Sequence, residues 1–120
     1  MRGQVDDAGR ALLTLSVKPI AGSGAVDLVV WVDTAFDGEL VVPLNAIHAL
    51  ELPQSAAVQA TLADGTAVVL DTFDCEIAWF GQWRRIEVIA NEGRLPLLGI
   101  GLLRGRKLTV DYETNVLELE

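Results

Sequence analysis

The sequence predicts an all-β domain, a small closed or partly closed β-barrel that carries one or two short helices. Three observations favour this class. Apolar and polar residues alternate with a period of two in several segments, glycine-containing turns separate these segments, and the helix-like runs are short. The chain has 120 residues, of which 51% are hydrophobic and 22% are charged. One domain with its own hydrophobic core is therefore expected, without disulfide or metal support.

The first half of the chain contains three predicted strands and one predicted helix. Residues 1–10 are polar and are expected to form a flexible N-terminal segment, so that the domain spans residues 11–120. The near-continuous apolar character of the strand over Val26–Val32 predicts burial on both of its faces. The elements are, in order, a strand over Leu13–Val17, a turn at Pro19 and Gly22-Ser23-Gly24, a strand over Val26–Val32, a strand over Glu39–Val42 that Pro43 ends, and a helix over Leu44–Leu50.

Two hairpins are predicted next. Asp64-Gly65 between two apolar runs indicates a type I′ turn, with strands over Val58–Leu62 and Thr66–Leu70. Gly81-Gln82 suits a type II′ turn, because glycine takes the first central position, between strands over Cys75–Phe80 and Trp83–Ala90.

The last quarter of the chain returns to short elements. An apolar segment ends at Gly99, and one helical turn is expected over Ile100–Leu103. Alternation over Leu108–Tyr112 predicts a further strand, and Val116–Leu119 predicts a terminal strand that is a candidate for contacts between subunits.

Charge and apolar runs exclude several classes of partner. The net charge is −8, so phosphate backbones and anionic membrane surfaces would repel the domain, and neither nucleic acid nor a membrane is expected as a partner. The basic cluster Arg104, Arg106 and Lys107 is interpreted as a solvated turn. No stretch approaches about 18 uninterrupted apolar residues, so a cytoplasmic location is the default expectation.

The residues that usually carry metal, thiol or serine chemistry are scarce. Cys75 and His48 are each the only residue of their type, so no intrachain disulfide, metal site or cofactor is expected, and they are interpreted as a strand residue and a helix residue. Ser16, Ser23 and Ser55 belong to no recognisable triad. Trp31, Trp79 and Trp83 lie on predicted strands and are expected in the core or in an interface.

The candidate for chemistry is Asp33, which directly follows a strongly apolar strand and precedes the uncharged Thr34-Ala35-Phe36. A lone carboxylate in such surroundings is costly unless it finds partners or changes its pKa. One interpretation is a turn in which the carboxylate caps nearby backbone N–H groups. The other is a catalytic acid.

The segment from Val30 to Pro43, VWVDTAFDGELVVP, resembles the active-site strand and loop of the retropepsin-like aspartic proteases. The segment Leu97–Leu103, LLGIGLL, resembles the apolar-apolar-glycine motif and short helix of the same family, and the hairpin at Asp64-Gly65 takes the place of the family's flap. The resemblance covers about residues 11–119. It implies a retropepsin-like acid-protease barrel.

The resemblance also implies a mechanism and a set of site residues. Two aspartates share one proton in these proteases, and this chain contains one such motif, so the implied enzyme is a homodimeric aspartic endopeptidase that takes an extended peptide. Asp33 matches the catalytic residue. Thr34, Ala35 and Gly99 match active-site support, with Ala35 where the family usually has glycine and Ile100 where viral members have arginine. The residues that match substrate contacts are Asp37, Leu62, Ala63, Asp64, Gly65 and Thr66.

Two alternatives from other classes stay open. The first is a non-catalytic dimerisation or peptide-binding module on the same scaffold, which the replacement of glycine by Ala35 favours. The second is an unrelated small β-barrel binding protein in which Asp33 is only a turn residue.

Overall fold

The computed structural model describes residues 1–22, 24–93 and 95–120, and its architecture is a β-barrel with added strands and two short helices. The predicted fold class is confirmed. Ser23, part of a predicted turn, lies outside the described residues. The elements are β1 (Arg2–Val5), β2 (Ala11–Lys18), β3 (Val26–Val32), β4 (Leu40–Pro43), α1 (Leu44–Ala49), β5 (Gln54–Thr61), β6 (Ala67–Trp79), β7 (Gln82–Asn91), β8 (Leu97–Leu98), α2 (Ile100–Leu103), β9 (Leu108–Asp111) and β10 (Val116–Leu119).

Six strands close the barrel, in the order β6-β7-β4-β8-β3-β2. Closure depends on the length of β6, which has 13 residues. Its first half pairs with β5 from Gln54 to Thr61, and its second half pairs with β2 through Val17 and Lys18. Strand β5 extends the sheet beyond β6. At the other end, three strands extend the sheet beyond β2, in the order β1-β10-β9.

Alternating side chains of the barrel strands form the core. Because successive residues of a strand point to opposite faces, one set from each strand meets at the barrel axis. Helix α1 adds Ile47 and α2 adds Leu102 to this set. Fully or almost fully buried strand residues include Leu13, Leu15, Val17, Val30, Leu40, Val42, Cys75, Ile77, Val88, Leu98, Leu117 and Leu119.

The prediction that β3 is buried on both faces is wrong. Val30 and Val32 are buried, whereas Val29 is 47% exposed and Trp31 is 39% exposed. The strand lies in the barrel wall with its second face outward, and no described element covers that face. Trp79 is buried as expected, but Trp31 and Trp83 are not core residues.

The N-terminus is more regular than the sequence predicted, whereas the terminal strand predicted over Val116–Leu119 is confirmed as β10. Arg2–Val5 form β1, which pairs with both β10 and β2, within the segment assigned no strand. That residues 1–10 are flexible stays a prediction. Strand β10 has a neighbour on each side within the chain, so it offers no free edge to a second subunit. Among the described strands, the sheet edges are β5 and β9.

The β6–β7 turn also differs from the prediction. Trp79 pairs with Gln82, so the two turn residues are Phe80 and Gly81 rather than Gly81 and Gln82. Both have positive φ, 50° and 83°, which is the type I′ pattern. Separately, no helix among the described residues is long and apolar enough to cross a membrane.

Candidate active site

Asp33 lies at the point where β3 ends against β8. Its backbone N–H donates to the carbonyl of Leu98 at 2.8 Å, which continues the parallel pairing of the two strands by one residue. Strand β8 is inserted between β3 and β4. Residues 33–39 therefore connect β3, on one side of β8, to β4, on its other side. We call this connection the Asp33 loop.

Three backbone hydrogen bonds join the Asp33 loop to the start of α2. Gly99 N–H donates to the Glu39 carbonyl at 2.9 Å, Ile100 N–H to Phe36 at 2.8 Å, and Gly101 N–H to Gly38 at 2.9 Å. The first N–H groups of a helix have no partners within the helix, and here the loop carbonyls accept them. The motifs around Asp33 and Gly99 thus form one structural unit, although 66 residues separate them.

Gly99 is packed directly behind the Asp33 loop. A Cβ atom at this position would lie 2.4 Å from the Gly38 oxygen and 2.6 Å from the Phe36 oxygen. The Phe36 ring occupies the space that Gly38 and Gly99 leave free. Phe36 is the packing residue that sequence reasoning missed, and the only signal for it was the pair of glycines that it covers.

The Asp33 carboxylate caps its own turn. Its Oδ1 accepts a hydrogen bond from Ala35 N–H at 3.0 Å, and its carbonyl accepts one from Phe36 N–H at 3.2 Å. Asp33 is half-buried, whereas Thr34, Ala35 and Asp37 are exposed. The capping that one interpretation expected is therefore present, and it engages Oδ1 of the carboxylate.

Ala35 takes the place of the expected glycine without backbone strain. Its φ is not positive, so the turn does not require the conformational freedom of glycine at this position. Its N–H supports the carboxylate, and its methyl group is at the surface.

The predicted substrate-binding residues from Leu62 to Thr66 form the tip of the β5–β6 hairpin, but the turn is not type I′. Leu62 N–H donates to the Thr66 carbonyl at 2.8 Å, and Gly65 N–H donates to the Leu62 carbonyl at 2.9 Å. Only Gly65 has positive φ, at 87°. This pattern is a three-residue loop, a type I turn followed by a left-handed glycine, and Asp64 fits it because its carboxylate accepts Thr66 N–H at 2.9 Å.

The β5–β6 hairpin exposes apolar side chains. Val58 is 36% exposed, Leu62 49% and Val69 70%, and among the described strands β5 pairs with β6 alone. The arm is thus a two-stranded extension that the barrel does not cover.

Trp31 lies two residues before Asp33, on the same side of the strand by alternation. The backbone N–H of Trp31 donates to the Pro96 carbonyl at 2.8 Å. The Arg10 guanidinium lies 5.9 Å from the centre of its ring and is held by an ion pair of 2.7 Å with Asp6. The Trp31 ring, with the Arg10 guanidinium against it, therefore lies on the open side of β3, and Trp31 is two residues before Asp33.

The other candidate groups are not part of this arrangement. Asp71-Thr72 repeats the dipeptide but lies within β6, where Thr72 is buried and bonded to Ser55 at 2.9 Å. Cys75 is buried in the barrel, and this burial raises the pKa of its thiol to about 12. His48 is exposed on α1.

The fold is that of the retropepsin-like aspartic proteases. The chain is similar to a retropepsin-like aspartic protease from Rickettsia conorii, with a TM-score of 0.68 and 14% identity over 99% of this chain and 88% of that one. It is also similar to EIAV protease complexed with the inhibitor HBY-793, with a TM-score of 0.59 and 16% identity over 79% and 86% of the two chains. No family model and no curated protein matches the sequence. At this level of identity, the likeness establishes the fold.

Proposed function

We propose that the protein is an aspartic endopeptidase that works as a homodimer, in which Asp33 of each subunit contributes one carboxylate to a shared site. The observation that carries this proposal is the position of Asp33. It lies in an exposed loop that is bonded to α2 and packed on Gly99, with its carboxylate oriented by Ala35 N–H. A turn that needed only a cap would not need this support from a distant motif.

The requirement for two subunits follows from the chemistry. Each chain supplies one such aspartate, and two close carboxylates share one proton because they cannot both ionise. The ionised carboxylate takes a proton from water while the water oxygen attacks the peptide carbonyl carbon. The protonated carboxylate gives its proton to the carbonyl oxygen. The tetrahedral intermediate then collapses: the C–N bond breaks as the first carboxyl group gives the proton it took from water to the leaving nitrogen, and a hydroxyl proton of the intermediate passes to the second carboxylate.

An extended peptide is the substrate class that fits the surroundings of Asp33. Val58 and Leu62 are exposed apolar residues on one face of the β5–β6 hairpin, and they would be covered if that face closed over a bound peptide. Trp31 offers an apolar wall beside the carboxylate for a substrate side chain. In this proposal Thr34 braces the two loops across the dimer axis, and Asp37 contacts the substrate backbone.

The proposal is tested by replacing the carboxylate without changing its shape. Asp33→Asn and the matched control Asp71→Asn, which alters the second Asp-Thr dipeptide, are assayed with a mixture of unstructured peptides by mass spectrometry. Asp33→Asn should lower cleavage by several powers of ten, since neither proton transfer survives, and Asp71→Asn should cleave like the wild type. The wild-type rate should be greatest at mildly acidic pH, where the pair holds one proton.

Three outcomes separate this proposal from its alternatives. Equal cleavage by Asp33→Asn and wild type would contradict it. No cleavage by the wild type, together with saturable binding of uncleaved peptide, would favour the non-catalytic module. Unfolding of Asp33→Asn, seen by circular dichroism, would show that the folded loop needs the charged carboxylate; in that case, failure of a statine-type peptide to bind the wild type would contradict the protease assignment.

A further inference from the structure

Strand β9 is one of the two edges of the sheet, and it pairs with β10 alone among the described strands. The other edge, β5, is exposed at seven of its eight positions. Leu108 and Val110 of β9, in contrast, pack against the buried core. Because an unpaired strand edge presents a row of backbone donors and acceptors, it can pair with another chain. Strand β9 is therefore the edge at which the packed body of the molecule could be extended.

The hydrogen bonds at the start of β9 show which of its backbone groups are free. Lys107 N–H donates to the Glu120 carbonyl, and Glu120 N–H donates to the Lys107 carbonyl, each at 3.0 Å. Bonded and non-bonded residue pairs alternate along an antiparallel ladder, so Thr109 is the next residue of β9 that bonds to β10. The N–H and C=O groups of Leu108 and Val110 therefore point to the open side.

The apolar face of the sheet is incompletely covered at β9. Leu117 and Leu119 of β10 are fully buried, whereas Val110 and Leu108, which lie opposite them, are half-buried. A strand beside β9 would cover these two side chains from the open side. Burial of apolar surface therefore favours a partner strand at this edge, and that strand needs apolar residues on the same face.

The other face of β9 carries opposite charges at its two ends. Lys107, Thr109 and Asp111 are exposed and, by alternation, lie on this face. If two copies of β9 pair antiparallel about Thr109, Leu108 of each copy lies opposite Val110 of the other. Lys107 of each copy then lies opposite Asp111 of the other, and opposite charges directly across two strands are stabilising. Centring the pair on Val110 or on Leu108 would place Thr109 opposite a charged residue and would lose both charge pairs.

We propose that β9 pairs with β9 of a second copy of this chain, antiparallel and centred on Thr109. Leu108 and Val110 then form backbone hydrogen bonds with the second copy. Strands β1, β10 and β9 of the two copies join into one sheet of six strands. The free backbone groups, the half-buried apolar side chains and the charges of β9 all favour this one register.

The inference rests on the proposed function in one respect, namely that the dimer formed at β9 is the one that shares Asp33. Helix α2 connects the two regions, because its first N–H groups bond to the Asp33 loop and residues 104–107 lead from its end into β9. Leu102 of α2 also belongs to the same buried cluster as Leu117 and Leu119 of β10. The Asp33 loop and the edge at β9 are thus attached to the same helix.

Cross-linking of the full chain tests the register. Thr109→Cys places two thiols directly opposite each other, in a non-hydrogen-bonded pair whose separation suits a disulfide. The matched control is Glu118→Cys, because Glu118 is also exposed and lies opposite Thr109 on β10. Two Glu118 residues would be three strand spacings, or about 14 Å, apart, which is too far for a disulfide. Under mild oxidation Thr109→Cys should form a covalent dimer. Glu118→Cys and the wild type, whose only cysteine is the buried Cys75, should not.

Charge reversal, followed by sedimentation, tests the contacts. Lys107→Glu and Asp111→Lys should each weaken dimerisation at least about fivefold, because both cross-strand pairs then carry like charges. An equimolar mixture of the two variants should dimerise again, since each pair across the mixed dimer joins opposite charges. Asp111→Lys also removes the caps on the N–H groups of Glu113 and Thr114, but it does so equally alone and in the mixture. The control Arg104→Glu makes the same charge change as Lys107→Glu outside β9 and should alter dimerisation less than about twofold.

A cross-link in Thr109→Cys, together with restored dimerisation and peptide cleavage in the mixture, would support the inference. A wild type that dimerises while the two cysteine variants cross-link equally, or while Lys107→Glu leaves the dimer unaffected, would overturn the pairing at β9 and leave the shared Asp33 site standing. A monomeric Lys107→Glu that cleaves peptide like the wild type would instead contradict the shared site alone. A wild type that is monomeric at the concentration where it cleaves peptide would overturn both.

Discussion

The turn at Asp33 needs a backbone N–H at position 35 and does not need a glycine there. Ala35 supplies that N–H at 3.0 Å from the carboxylate, and its φ is not positive. Alanine has fewer accessible backbone angles than the glycine usual in the family, but this turn requires none that alanine lacks. What the methyl group changes is the shape of the exposed surface beside Asp33.

At Gly99, in contrast, the absence of a side chain is required by space. The backbone there is extended, with φ −104° and ψ −178°, so alanine would meet no conformational penalty. Its Cβ would instead collide with backbone oxygen atoms of Gly38 and Phe36, which cannot move without displacing the Asp33 loop.

Gly99→Ala should therefore lower the free energy of unfolding by about 1–3 kcal/mol, the usual cost of overpacking, and should reduce peptide cleavage further by moving Asp33. The matched control is Gly24→Ala, whose Cβ would meet no atom within 4 Å and whose φ is not positive. Urea unfolding of both variants is the measurement. Equal stability of the two would show that the loop is not packed on Gly99.

At the scale of elements, the tip of the β5–β6 hairpin depends on the left-handed conformation of Gly65. Gly65→Val would force a β-branched residue into φ near 87° and should distort the tip. Because the tip is exposed and no described residue lies within 4 Å of a Cβ at Gly65, turnover should fall more than global stability. The measurements are the rate of peptide cleavage and the unfolding midpoint.

Gly81→Val is the control for this prediction, since Gly81 has φ 83° at the tip of the other hairpin and an equally open position. It carries the same strain away from the proposed site and should leave cleavage unchanged. Equal loss of cleavage in both variants, or unchanged cleavage in Gly65→Val, would contradict a role for the β5–β6 hairpin in substrate closure.

The elements also show what sequence patterns could predict. Alternation identified β2 and β9, the short run before Pro43 identified β4, the terminal segment identified β10, and Gly99 marked the end of β8. The pattern failed at β3, where apolar residues such as Val29 and Trp31 face outward, since periodicity cannot tell a buried face from an exposed apolar one. It failed at the β6–β7 turn because only tertiary contacts, such as Arg106 on Phe80, offset positive φ at a phenylalanine. The sequence indicated the motifs around Asp33 and Gly99 separately. It did not indicate that Phe36 packs against Gly99 and so joins the two motifs.

At the scale of the whole molecule, several loops depend on aspartates that cap backbone N–H groups. The pKa of Asp6 is lowered mainly by a hydrogen bond from the Arg10 backbone N–H, and the pKa of Asp111 mainly by one from the Glu113 backbone N–H. The pKa of Asp64 is lowered by the side chain of Thr66 and by its backbone N–H. A carboxyl group whose pKa is lower in the folded protein stabilises the fold. This stabilisation is fully present above the pKa of the group in the unfolded chain, and it is lost as the pH falls through the pKa of the group in the folded protein.

The free energy of unfolding should therefore fall as pH drops from about 4 toward 2, around and below the unfolded aspartate pKa of about 3.9. Asp111→Asn should reduce this dependence, because an amide keeps the cap without titrating. Urea unfolding at pH 5 and pH 2.5 measures the difference. A stability that rises on acidification, or an equal slope in Asp111→Asn, would contradict this assignment.

The structure of one chain leaves a choice of surfaces through which two copies could pair. Strand β10, the segment expected to supply subunit contacts, already has β1 and β9 as neighbours. The free edges of β9 and β5 and the exposed face of the Asp33 loop are the surfaces left to a second copy among the described residues. Pairing through the loop faces would bring two Asp33 carboxylates together.

The central claim is that one site takes an Asp33 from each of two subunits, and subunit mixing tests it most directly. A fixed amount of wild type is equilibrated with increasing Asp33→Asn, and peptide cleavage is followed. Random exchange of subunits leaves one quarter of the dimers fully wild type at a 1:1 ratio of wild type to Asp33→Asn. Since the added variant doubles the number of dimers, total activity should fall to about half of its starting value, and at a 1:3 ratio to about a quarter. Activity that stays constant as Asp33→Asn is added, in a sample shown by mass spectrometry to have exchanged subunits, would contradict a shared site.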